Sequence, residues 1–86
     1  MNKVEEMLVI TMEECGELTH ACSKYIRSNG RAKHRKNLRE EIGDVATMIE
    51  ILKMAGLVTE KQIQDRMEEK KKKLEKWSSI FDETKV

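Results

Sequence analysis

Apolar residues recur at alternating four- and three-residue spacing along three segments of this chain, with glycine-bearing breaks between them and no proline anywhere. That pattern leaves helices as the only regular structure that puts the apolar side chains on common faces. Val4, Leu8, Thr11, Cys15, Leu18, Cys22 and Tyr25 share one side of a helix predicted from about Lys3 to about Arg27. Ser28-Asn29-Gly30 is a stop signal, with Gly30 suited to a left-handed cap. The basic stretch RAKHRK, 31–36, reads as a loop or a frayed lead-in. A second helix starts at Asn37, where N-L-R-E has capping-box spacing, or earlier, near Ala32. Leu38, Ile42, Val45, Ile49 and Leu52 form its main stripe, and Gly56 ends it. A third helix opens at T-E-K-Q, 59–62, another capping box, and carries a thinner edge of Ile63, Met67, Leu74 and Trp77. The tail after Ser78 and Ser79, IFDETKV, has no helical pattern and is expected to pack through Ile80 and Phe81 or to fray. The expectation is one all-α domain over residues 1–86.

A chain of 86 residues buries a modest core, which needs a supplement: a disulfide, a metal or a partner subunit. Cys15 and Cys22 lie two turns apart on one helix, roughly 10 Å along the axis, too far to bridge. They read as small hydrophobes in a reducing compartment. With no signal peptide and no apolar run of spanning length, the chain is expected to be soluble and cytoplasmic, with no membrane partner. A net charge of +1 and only three aromatic residues argue against a nucleic-acid partner.

The informative residues are acids. EECGEL at 13–18 returns as EEIGDV at 40–45, each copy with three carboxylates and a glycine. On a wheel of about 100° per residue, Glu13 and Glu40 point outward. Glu14 and Glu17 instead fall in line with Met7, Ile10 and Ala21, and Glu41 and Asp44 with Met48, Ile51 and Ala55. Each helix thus has a second apolar stripe with two acids set in the middle of it. A single E-x-x-E or E-x-x-D pair is commonplace on a surface helix. Two pairs, each in a second apolar stripe, are not. Ionised carboxylates crowded in an apolar groove repel one another and resist desolvation. A hard divalent cation such as Mg²⁺ resolves that conflict with oxygen ligands, keeping several of its waters. An i, i+3 pair on each of two antiparallel helices offers four carboxylates and leaves room for a phosphate.

E-E-x-x-E at 13–17, followed after 23 residues by E-x-x-D at 41–44, resembles the signature of the all-α nucleoside triphosphate pyrophosphohydrolases, the MazG-like group. The flanking G-E-L and G-D-V also match, and the resemblance covers about residues 5–57. It implies Mg²⁺-dependent hydrolysis of a (d)NTP between the α- and β-phosphates to the monophosphate and pyrophosphate, with Mn²⁺ as a substitute ion. By position, Glu14, Glu17, Glu41 and Asp44 would be the metal ligands. A carboxylate left free of metal would take the proton of the attacking water, a role assigned to Glu17. The chain departs from the group in its aromatics, offering only Tyr25, Trp77 and Phe81 to sandwich a base. Its third helix also lacks an asparagine-containing basic motif, so base preference stays open. Phosphoribosyl-ATP pyrophosphohydrolase is a neighbouring reading of the same motif. A non-catalytic helical regulatory dimer is the reading from another class.

Lys70 and Lys73, within the KKKK run, are candidate phosphate contacts, and the ordinary reading of such a run is solvated surface. The basic residues 31–36 invite the same pair of readings. Asn37, on the wheel line of Glu41, is a candidate substrate contact beside its capping role. His20 follows Glu17 by three, as in di-iron carboxylate bundles, but Thr47 stands where a second histidine would be needed. Gly16 and Gly43 each weaken a helix by roughly 1 kcal/mol and are expected to allow close helix approach or access beside the acids. Two apolar stripes on each of two helices exceed what one thin third helix covers. The chain is therefore expected to form a homodimer or dimer of dimers around a four-helix-bundle core.

Overall fold

The structure, a computed structural model, describes residues 1–82 and is all-helical over them. Helices α1 (Lys3–Arg27), α2 (Ala32–Met54) and α3 (Glu60–Trp77) follow in order. The part of the expected tail from 83 to 86 lies outside the described residues. Ser78 is extended, Ser79–Asp82 form a turn closed by the Asp82 N–H on the Ser79 carbonyl, and Ile80 and Phe81 remain 42% and 48% exposed.

The helix ends follow local chemistry. Asn2 caps α1 through its side chain, which accepts from the Glu5 N–H at 2.8 Å, while the Glu5 carboxylate accepts from the Asn2 N–H. At the other end Asn29 takes a left-handed φ of 54°, and the Gly30 N–H reaches back to the Tyr25 carbonyl at 2.9 Å. Gly30 is left-handed as well, at φ 76°, and its Cα lies so close to the Tyr25 ring that an added Cβ would sit 3.1 Å from the hydroxyl oxygen. Gly56, at φ 81°, closes α2 in the same way, with the Leu57 N–H bonded to the Leu52 carbonyl. Thr59 and Gln62 form the expected capping box of α3.

One end runs differently from the first of the two expected starts. The second helix begins at Ala32, so RAKHRK is helical from its second residue and Asn37 lies well inside the helix instead of capping it. Arg31 stands at the cap position with no side-chain bond to the helix end. A capping-box spacing is a local preference, and here continued helical bonding from Arg31 overrides it.

Helices α1 and α2 form an antiparallel hairpin, the one substantial helix pair among the described residues. Its seam runs between the two stripes read from each helix. Ala21 and Met48 are its two buried side chains, flanked by half-buried Leu18, Tyr25, Leu38, Val45 and Leu52. The outer parts of the main stripes stay exposed: Val4, Leu8, Ile42 and Ile49 are 38–51% accessible, and both cysteines are exposed free thiols. Helical spacing puts these residues on one face of the hairpin and Glu17 and Asp44 on the other. Helix α3 is tied to α2 by Lys53, whose Nζ bonds Glu60 at 2.7 Å and Glu50 at 3.2 Å. Between them lies an apolar hollow of about 490 Å³, lined by Ile49, Leu52, Val58, Ile63 and Met67 among others. The chain is open for its size. Its radius of gyration is 15.4 Å, where a compact chain of this length gives about 12 Å.

Candidate metal centre

The acidic residues meet across the hairpin seam. Glu14 comes from the middle of α1, and Glu41 and Asp44 from one i, i+3 edge of α2. One carboxylate oxygen from each of the three lies within 4.8 Å of the other two. Glu14, Asp44, Thr47 and Met48 line a hollow of about 230 Å³ at this point. Two of the three acids are half-buried, and the Glu41 Oε2 atom is buried with no hydrogen-bond partner. A buried, unpaired carboxylate oxygen is costly in any fold, and a cation facing it removes the cost. The donor set is all oxygen, which suits a hard ion of the Mg²⁺ or Mn²⁺ kind.

The electrostatics agree with that geometry. Desolvation, then the charges of Asp44, Glu41, Glu17 and Glu13, hold the Glu14 carboxyl above its ordinary 4.5. Desolvation, then Glu17, Asp44 and Glu40, raise Glu41 likewise, with Lys24 pulling the other way. A raised carboxyl binds its proton more tightly in the folded chain than in the unfolded one. Its stabilising effect is full below the unfolded value of 4.5 and is lost as pH rises through the folded value. His34 has the opposite sign: burial and nearby cations lower it from 6.5, so its contribution is lost as pH falls. The two effects separate by difference. In EDTA, wild type should lose melting temperature relative to Glu41→Gln as pH rises from 4.5 towards 7, because His34 is common to both proteins. Thermal melts across that range check this, and parallel pH profiles would count against a strained carboxylate cluster.

The other residues singled out from the sequence are placed as follows. Glu17 is exposed and outside the three-carboxylate cluster, although its charge acts on both Glu14 and Glu41. Asn37 is half-buried in α2, one turn from Glu41 on the same edge, and its side chain makes no hydrogen bond among the described residues. Lys70 and Lys73 lie on α3, beside Leu74 and Trp77 at a separate hollow, and do not line the acidic one. Gly16 and Gly43 are exposed, and a Cβ at either would meet nothing within 4 Å, so close approach of α1 and α2 does not explain them. Gly43→Ala should accordingly raise the stability of an isolated chain by about 1 kcal/mol. A loss on denaturant titration instead would mean that another molecule sits against this glycine.

No helix of the described residues is long and apolar enough to cross a membrane. Neither the curated proteins nor the solved structures contain a match to the chain. The description "MazG nucleotide pyrophosphohydrolase domain" belongs to a family that the chain matches over residues 2–78, which takes in α1, α2, α3 and the whole acidic cluster. With the match covering nearly the whole sequence, the chain belongs to the MazG nucleotide pyrophosphohydrolase domain family.

Proposed function

We propose that the protein hydrolyses nucleoside triphosphates between the α- and β-phosphates, with Mg²⁺, or Mn²⁺ in its place, held by Glu14, Glu41 and Asp44. The observation that supports this reading is the three-carboxylate cluster with the orphaned Glu41 Oε2 inside it. A bound divalent ion supplies charge neutralisation of the polyphosphate and a more acidic attacking water. Glu17, near the cluster but outside it, is the free carboxylate that takes that water's proton. The water oxygen forms the new bond to the α-phosphorus, and the α–β bridging oxygen leaves with pyrophosphate. Glu17 is exposed, whereas Glu14 and Glu41, their carboxyls raised by desolvation and like charge, need a cation opposite them to stay charged.

The test is a nucleotide panel incubated with Mg²⁺ and assayed separately for pyrophosphate and orthophosphate. Pyrophosphate with the matching monophosphate is the expected product pair. Orthophosphate alone, or no turnover of any triphosphate, would overturn the reading.

The same reading requires company for the chain. The accessible surface is 7119 Å², against about 5,300 Å² for a compact monomer of this mass. The excess, about 1,800 Å², is more than the roughly 800 Å² that each partner gives up in an ordinary interface. We place the apolar hairpin face, with Leu8, Ile42 and Ile49, in a homodimer or dimer of dimers with a four-helix core.

A further inference from the structure

Charge along this chain is sharply divided. Residues 18–39 hold seven of the 17 lysines and arginines and none of the 16 acids. The fold gathers this stretch at the turn end of the α1–α2 hairpin. There Lys24, Arg27, Arg31 and His34, with Ser28 and Asn29, line a cleft of about 440 Å³. Among the described residues, none of these three cations forms an ion pair, although Lys53, Lys61 and Arg66 elsewhere all do. Arg31 sits at the α2 cap position, and the first turn of α2 contains no acid, so the positive end of that helix adds to the same field.

The cleft and the acidic cluster lie on the same edges of the two helices, and the Lys24 charge acts on Glu41. On α1, Glu14, Glu17, Ala21, Lys24 and Ser28 follow each other at three- and four-residue steps; on α2, His34, Asn37, Glu41 and Asp44 do the same. Both lines border the hairpin seam, where Ala21, between Glu17 and Lys24, is buried and small. Glu41 and His34 are seven residues apart on one helix, roughly 10 Å along the axis. A lysine or arginine side chain spans much of that distance. Half-buried Asn37 lies midway, its side chain without a hydrogen bond among the described residues.

We propose that this basic cleft is the subsite for the β- and γ-phosphates of the substrate, and so for the pyrophosphate that leaves. The assignment rests on the pyrophosphohydrolase reading and adds polarity to it. The nucleotide lies along the seam with its α-phosphate at the acids and its polyphosphate end towards the turn. Lys24 and Arg31 then make charge-assisted bonds to the distal phosphate oxygens. A nucleoside monophosphate lacks those phosphates and gains nothing from the cleft, which lets it leave independently of pyrophosphate.

Direct binding of inorganic pyrophosphate tests this without any turnover. In calorimetry on the metal-free protein in EDTA, wild type should bind pyrophosphate more tightly than it binds a nucleoside monophosphate. Lys24→Gln and Arg31→Gln should each weaken pyrophosphate binding about tenfold, with helical circular dichroism unchanged. Glu41→Gln should leave it intact or tighter. The His34 ring, followed by NMR, should titrate higher with pyrophosphate bound, because an anion stabilises its protonated form. Equal binding by wild type and both basic variants would overturn the subsite, as would no detectable binding by wild type at millimolar pyrophosphate. A short RNA oligonucleotide that bound more tightly than pyrophosphate would replace it with a nucleic-acid surface. A protein that binds pyrophosphate as expected yet turns over no triphosphate would sink the catalytic reading and leave the anion site standing.

Discussion

Glu41→Gln should lower pyrophosphate release at least about a hundredfold while the metal-free protein melts at a higher temperature than wild type. Loss of a direct ligand exceeds the 10–100-fold cost typical of disturbing a residue behind one. The opposite movement of stability follows from the position of Glu41. Its Oε2 is buried without a partner, and its charge faces those of Glu17 and Asp44. Glutamine keeps the shape and removes the repulsion. Asp44→Asn should repeat the loss of turnover. Glu13→Gln and Glu40→Gln, which alter acids pointing away from the seam, should stay within about twofold of wild type because exposed charges interact weakly through water. Steady-state assays beside melts in EDTA and in Mg²⁺ decide the matter. Turnover by Glu41→Gln within threefold of wild type would remove this residue from the site.

The second large effect concerns assembly. Leu8→Lys should shift the protein to smaller species in sedimentation and make its melting temperature fall more steeply on dilution. Leu8 is 43% exposed on the hairpin face opposite the acids. Burying a leucine contributes roughly 1.5–3 kcal/mol, and a two-fold interface counts the change twice. The dissociation constant should therefore rise by a factor on the order of 10² to 10⁴. Wild type sedimenting as a folded monomer throughout the micromolar range would refute the assembly, and the open shape of the chain would then need another cause. Because Leu8 lies nearly two turns from Glu14, loss of activity in the variant would trace to assembly and not to the acids.

The helices themselves were readable from residue order because their causes are short-range. Alternating four- and three-residue spacing, the stop at Asn29-Gly30 and the Thr59–Gln62 capping box each act within a turn or two. The observed α1 and the start of α3 accordingly agree with expectation. Local rules conflicted at the start of α2. The Asn37 box competed with continuation from Arg31, and a preference worth about 1 kcal/mol yields to several continuous helical bonds. The pairing of Glu14 with Glu41 and Asp44 was foreshadowed by the wheel, since all three interrupt apolar stripes. The wheel treats Glu14 and Glu17 alike, however, and the structure does not.

Local order along the chain thus determined three helices, most of their ends, and the outward turn of Glu13 and Glu40. Tertiary packing decided which line of each helix became the seam. Two helices in contact bury a single row of side chains from each, so one seam had to run between the two stripes and leave part of both exposed. The Ser28–Arg31 turn then set the register of α1 against α2. That register brings Glu14 within reach of Glu41 and Asp44, leaves Glu17 outside, and gathers Lys24, Arg31 and His34 around one cleft at the turn. A few ångströms of sliding would undo each of these, and spacing along one helix carries no information about its position against another.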